Sequence, residues 1–441
     1  MEVVLDQRMS DIRRWPGRWR EVGAVTGRRL VTDLTPLRSS GGFRRLFIGQ
    51  SASMVGAQVT LVAVPLQVFA LTRSSLAVGF IGFAALVPLI VFGLYGGAIA
   101  DAVDRRRLIL VTSTGSAAVS VLLLVQALLH LDRLWLLYAC VAVQAAFSAV
   151  DSPTRRALLP RLVGPAHIPA ANTLFHGVFT LGIVVGPLVA GVLISTSGYA
   201  AAYAVDVGAF AVAISAIYQL PPLSPEGGGR RAGLSSVMEG LAFLRSRPVL
   251  LTVFLADVNA MVFGMPRALF PAMAAGQFHG GPQVAGYLYA APAAGALLAS
   301  LLSGWLPAVR RQGRAVLVAV AGWGAAITVF GLVRVLWLAL VLLALAGAAD
   351  AISVVFRSSI LQLVTPDAMR GRLSGVNMIV GAGGPRLGDL EAGAVAAAFG
   401  PNVAVVSGGL ACMAGVLLLA LAAPAFARYD ARPSLDATGP M

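Results

Sequence analysis

The sequence predicts an all-α membrane protein of twelve transmembrane helices in two pseudo-symmetric six-helix bundles, on three observations. Of its 441 residues, 58% are hydrophobic and only 12% charged, with a mean hydropathy of +0.83. Soluble domains are about a quarter charged, so this chain is too poor in charge to wet a globular surface and belongs in a bilayer. Apolar stretches long enough to cross the roughly 30 Å hydrocarbon layer recur along it. Arginines gather in alternate connections between those stretches.

In order, the expected spans are 46–70, 76–99, 108–130, 134–152, 172–195, 201–220, 248–272, 284–306, 315–333, 335–356, 374–397 and 402–424. The first follows an arginine-rich stretch and reads as a retained helix, not a cleavable signal peptide. An even number of spans puts both ends on one side of the membrane. The stretch before the first span carries Arg8, Arg13, Arg14, Arg18, Arg20, Arg28, Arg29, Arg38, Arg44 and Arg45. Alternate connections add Arg105–Arg107, then Arg155, Arg156 and Arg161, then Arg230, Arg231, Arg245 and Arg247. Arg310, Arg311, Arg314, Arg357, Arg370, Arg372, Arg428 and Arg432 complete that side. The other side has Arg73, Arg133 and Arg334, with Arg267 near the outer end of the seventh span. The positive-inside bias therefore predicts both termini in the cytoplasm.

The break Pro221–Gly233 is rich in Pro, Gly and Arg and reads as a linker. The expected organisation is a basic tail (1–42), a six-helix bundle (43–220), a linker (221–247), a second bundle (248–425) and a tail (426–441). The halves echo each other. Arg156-Ala-Leu-Leu-Pro-Arg-Leu-Val-Gly-Pro matches Arg357-Ser-Ser-Ile-Leu-Gln-Leu-Val-Thr-Pro, and Gly186-Pro187 matches Gly384-Pro385. The hairpin after the second span has a weaker counterpart at Gly304–Arg311, in which Ala308 stands where Asp101 stands. Duplicated six-helix halves are expected of carriers that rock about a central site.

That hairpin reads Gly97, Ile99, Ala100, Asp101, Arg105 and Arg106 against the loop pattern G-x-L-A-D-x-x-G-R-R, with Asp104 where Gly is usual. It resembles the signature loop of the major facilitator superfamily of transporters. The fifth span holds Gly182-x-x-x-Gly186-Pro187-x-x-Ala190-Gly191, similar to the Gly-Pro motif of the superfamily's proton-coupled antiporters, with Ala190 replacing one Gly. Residues 151–163, 263–273, 347–377 and 384–393 resemble its enterobactin-exporter-like and macrolide-efflux-like branch. The resemblance runs from about residue 43 to 425. It implies a cytoplasmic gate in which Asp101 meets the N-terminus of the eleventh helix, where the helix dipole favours a negative charge. Arg105 would pair there with Asp151.

Intramembrane charge marks the candidate cavity: Asp206, Asp257, Asp350, Arg386, Asp389 and Glu391 all fall within expected spans. Such charges are costly and usually face a polar pathway. Asp257 lies about nine residues, or roughly 14 Å, into the seventh span, the depth at which substrate and coupling ion bind. Arg386 and Asp389 are spaced to neutralise each other, which leaves Glu391 free. Asp350 is placed to pair with Arg357, and Asp206 to be wetted near the outer interface. Gln50 and Gln58 in the first span are open to two readings, cavity lining or contact between helices. The tail stripe Ile12, Trp15, Trp19 and Val22, interrupted by Pro16, either lies on the anionic inner leaflet or is disordered.

All 33 basic residues are Arg. The lack of Lys excludes a Walker A phosphate loop and a Schiff-base lysine, so the energy source is expected to be an ion gradient. Cys140 and Cys412 lie in apolar segments and imply no disulfide framework. The four histidines lack ligand spacing, so no metal is expected. The +14 charge reads as topology, not nucleic-acid binding. No nucleophile–base arrangement argues for an enzyme. The expectation is a monomer in a bacterial inner membrane, without cofactor, driven by the proton gradient. It would export amphiphilic small molecules by proton antiport and alternating access. An importer or facilitator of the same fold, or a carrier fold retired into sensing, are the alternatives.

Overall fold

The computed structural model describes residues 33–220 and 234–430. The tail stripe from Ile12 to Val22, the stretch Pro221–Gly233 and the last eleven residues lie outside them. Every described element is helical. In order, α1 is Gly41–Thr72, α2 Ser75–Ala102, α3 Arg105–Leu128 and α4 Leu134–Leu162. The helical run Ile168–Tyr218 supplies α5 and α6. Then come α7 (Pro248–Gly276), α8 (Pro282–Leu301), α9 (Gln312–Leu332), α10 (Leu336–Val364), α11 (Asp367–Phe399) and α12 (Pro401–Ala422).

Ten of these runs are long and apolar enough to span a membrane. One is the 51-residue run Ile168–Tyr218, in which Gly198 adopts φ 77° and ψ −179°. That backbone region is open essentially to glycine alone. The chain reverses there. Residues 168–197 (α5) run with α1, setting Phe175 on Phe43 and Gly186 on Gln58. Residues 199–218 (α6) run back, setting Tyr203 on Gln67 and Ala213 on Gly49. The remaining span, α11, is diluted by Arg370, Arg372, Arg386, Asp389 and Glu391. Large apolar side chains such as Val111, Leu417 and Leu418 face outward, which suits lipid rather than water.

The repeat holds in space. Helices α4 and α10 are both 29 residues long. Trp135 and Trp337 are the second residue of each, both strongly exposed, as aromatic residues at a membrane interface are. Arg155 and Arg357 also occupy the same position in the two helices, and both are buried. The sequence match of Arg156 to Arg357 is therefore one residue out, and these two buried arginines are helix-interior groups, not loop charges. The glycine match does hold: Gly186 packs on Gln58 of α1, and Gly384 on Met261 of α7.

The halves meet along two seams, α2 with α11 and α5 with α8. Both are built on glycine. A Cβ on Gly82 would lie 2.9 Å from the Arg386 carbonyl oxygen, and one on Gly393 would lie 2.7 Å from that of Ser75. A Cβ on Gly286 would lie 2.5 Å from the Pro187 carbonyl oxygen, and one on Gly191 would lie 2.9 Å from that of Pro282. These approaches lie toward the arginine-poor end. Nearer the other end, a Cβ on Gly93 would meet only Met378, at 3.8 Å.

Helix α7 is not the continuous span predicted. It breaks into Pro248–Phe263 and Phe270–Gly276 around a single turn, Arg267–Leu269. Pro266 lacks an N–H and disfavours helical backbone at the residue before it. The helical bond from Ala268 N–H to the Gly264 carbonyl is lost, and side chains from two other helices satisfy its ends. Trp323 Nε1 of α9 donates to the Gly264 oxygen at 2.8 Å, and the Ala268 N–H donates to Asp389 Oδ1 of α11 at 3.2 Å. Buried backbone groups require such partners.

Candidate functional site

The C-terminal half carries a column of charge on α7, α10 and α11. Arg357 of α10 is buried and ion-paired with Asp257 of α7. Its Nη2 also lies 3.6 Å from Asp350 Oδ1, two turns earlier on the same helix. One cation thus serves two carboxylates on two helices. Burying charge without such a partner would be costly.

Further along is the break in α7. Tyr289 of α8 donates its hydroxyl to the Arg267 carbonyl at 3.0 Å, which adds a third side chain to the two holding the break. The Arg267 side chain is exposed although Pro266, Ala268, Leu269 and Phe270 are buried. It lies close enough to Asp350, Asp389, Arg386 and Tyr289 for its charge to act on each. Sequence reasoning placed Arg267 near the outer end of its span and overlooked it as a site residue. The available signal was Gly264-Met265-Pro266, a helix-breaking run directly before an arginine in an apolar segment.

Arg386 and Asp389, spaced to neutralise each other, act on one another through charge but make no direct ion pair among the described residues. Arg386 turns back to donate to the Ala382 carbonyl of its own helix, while Asp389 serves the α7 break. Glu391 is half-buried and makes no hydrogen bond or ion pair with described residues. Gln58 packs its stem against Gly182 and Gly186 of α5, which makes it a contact between helices.

Asp206 corrects a second expectation. It is 1% exposed, not wet, and accepts hydrogen bonds from Thr60 of α1 at 2.8 Å and Ser120 of α3 at 2.7 Å. Beside it, Gln67, Gln126 and Tyr203 join the same three helices through mutual hydrogen bonds. These polar groups hold the N-terminal bundle together.

The family model described as transmembrane secretion effector (MFS_3) matches residues 31–441. The chain belongs to the major facilitator superfamily. The Enterobactin exporter EntS of Citrobacter koseri is 31% identical over 397 residues, covering 89% of this chain and 94% of that protein. A mutant form of the nucleoside transporter NupG superposes with a TM-score of 0.71 at 11% identity, covering 88% of this chain and 100% of that one. A bacterial homologue of the lysosomal transporter Spinster, in an inward-facing and unoccupied conformation, gives 0.69 at 17%, covering 92% and 99%. Those two likenesses concern the fold. This superfamily member is a multi-pass membrane transporter, not an enzyme.

In this superfamily chain the signature hairpin spans the end of α2 and the start of α3. Gly97 and Asp101 belong to α2, but their surroundings lie outside the described set, so the expected meeting of Asp101 with α11 does too. Asp104, the departure from the pattern, caps α3 by accepting from the Arg107 N–H at 2.9 Å. Arg106 donates to the Tyr218 carbonyl at 2.5 Å and lies 5.5 Å from the centre of that ring. Arg45 donates to the Gln219 carbonyl at 3.0 Å. Two arginines therefore cap the C-terminal end of α6, where the helix dipole favours cations. The predicted pairing of Arg105 with Asp151 is replaced. Asp151 accepts from Arg155 Nε at 2.5 Å and from Thr112 at 2.8 Å. Arg155, one turn along the same helix, is the nearer competitor. The Gly-Pro motif divides its work: Gly182 and Gly186 admit Gln58 within the bundle, and Pro187 and Gly191 form the seam with α8.

Proposed function

We propose that this transporter exports amphiphilic small molecules of the siderophore type in exchange for protons, by alternating access of its two halves. The observation that carries the reading is Arg357, shared by Asp257 of α7 and Asp350 of α10. Asp257 and Asp350 share this one guanidinium, with the Arg267 charge acting on Asp350 as well, so a proton taken up by either carboxylate would release Arg357 to the other. Competition for the arginine would link that proton to the relative positions of α7 and α10. Arg267, exposed at the break, offers a cation to an acidic group of the substrate. Positive-inside bias supports placing the arginine-rich end in the cytoplasm. Closure of the glycine seams toward the arginine-poor end then corresponds to an inward-facing state, and an inner-membrane location follows. The enterobactin-exporting relative supports a siderophore-type substrate.

The test is uptake of enterobactin and candidate drugs into energised inverted membrane vesicles with an internal pH indicator. Substrate accumulation with substrate-dependent proton release is the expected result. Accumulation without proton movement would remove the antiport reading, and movement only in the opposite direction would make the chain an importer. Asp257→Asn is expected to abolish coupled transport. Full coupled activity in that variant would remove the Arg357 trio from the mechanism.

A further inference from the structure

The helix Leu234–Arg245, just before α7, has two unlike faces. One is docked on the arginine-rich ends of α7 and α11. Glu239 pairs with Arg372 of α11 at 2.7 Å. Gly240 lets the helix approach the α11 backbone, where a Cβ would lie 3.0 Å from the Arg372 carbonyl oxygen. Leu244 is buried with Leu250, Phe254, Leu373 and Val376.

The opposite face consists of Met238, Leu241, Ala242 and Arg245, at the i, i+3, i+4, i+7 positions of one helical stripe, and all four are exposed. Met238 is 64% exposed and Leu241 42%. Arg247 follows, exposed and 5.8 Å from the centre of the Phe243 ring. The stripe is apolar with cations at its end, and Glu239, the acid on this helix, is already neutralised by Arg372. Anionic headgroups over acyl chains match both parts of this face.

We propose that this face is a seat for anionic phospholipid, with Met238 and Leu241 among the upper acyl carbons and Arg245 and Arg247 on the headgroups. The helix would then fix the linker end of the C-terminal half to the membrane surface.

The test uses the full chain with Leu241→Cys labelled by an environment-sensitive fluorophore. Cys140 and Cys412 are buried, and the unsubstituted chain reports any background labelling. The protein is reconstituted into vesicles of phosphatidylcholine alone, or of phosphatidylcholine with a quarter phosphatidylglycerol. Each set is prepared with and without brominated acyl chains. Blue-shifted emission is expected, with quenching by bromolipid about twofold stronger when phosphatidylglycerol is present. Arg245→Gln with Arg247→Gln should reduce that quenching to the phosphatidylcholine level. These changes spare the docked face, and thermal unfolding of the variant checks that it folds. Quenching by aqueous iodide instead of bromolipid would overturn the proposal, as would bromolipid quenching independent of phosphatidylglycerol.

Discussion

Asp389 accepts a backbone hydrogen bond from Ala268, the donor freed by the break in α7. Asn keeps that acceptor and Ala does not. Asp389→Ala should cost about 1–3 kcal/mol, the penalty for a buried donor left unmade, while Asp389→Asn stays near wild type. Thermal unfolding in detergent separates them, and equal losses would make the charge, not the hydrogen bond, the stabilising feature. Asp206 is tested the same way. Asn can accept from Thr60 and Ser120, whereas Leu removes the shared acceptor and leaves Ser120 only the Ser116 carbonyl, so only Asp206→Leu should unfold markedly earlier. Neither role was readable in the sequence, because a charge in an apolar run announces its presence but not the rotation of its helix. The same gap let Arg267 pass as an outer-end charge and assigned Asp151 to Arg105. Asp350 was legible, since its partner sits two turns away on its own helix.

Ten elements announce themselves by length and apolarity, and the break in α7 does not. Residues on both sides of Gly264 are apolar, so a hydropathy window passes over it, and the stabilising groups come from α9 and α11. Trp323→Phe retains most of the buried ring and removes the donor to the Gly264 carbonyl. It should cost about 1 kcal/mol in thermal unfolding. An unchanged midpoint would mean that the carbonyl finds water instead. The equivalence of α4 and α10 was partly legible. The sequence match locks onto the prolines after each helix, whereas the helices themselves bring Arg155, not Arg156, into register with Arg357.

Across the whole molecule, the seams use the absence of side chains. A Cβ on Gly191 or Gly286 would press on the backbone of the facing half. Overpacking of this kind costs about 1–3 kcal/mol, roughly a 5- to 150-fold shift against the closed arrangement. Gly191→Val and Gly286→Val should therefore lower transport while the protein still folds. Gly208→Val, where an added Cβ meets nothing within 4 Å, should transport normally. Inhibition by Gly208→Val equal to that by the seam variants would show that bulk anywhere in the spans is harmful and that the seams are not special. The twelve-helix count was legible from the alternation of arginine-rich connections. The seam contacts were not, because a glycine reveals nothing in sequence about what approaches it.

The reversal at Gly198 also bears on how the protein is made. Between α5 and α6 no loop has to be carried through the bilayer, because the turn is a single residue within the run Ile168–Tyr218. A straight helix of its 51 residues would measure about 76 Å, more than twice the hydrocarbon thickness. Release from the ribosome into lipid thus favours a hairpin that enters as one unit. A side chain at position 198 would penalise the bend while the nascent chain is still choosing its course. The first sign of such a variant should be a loss of inserted protein, ahead of any defect in transport.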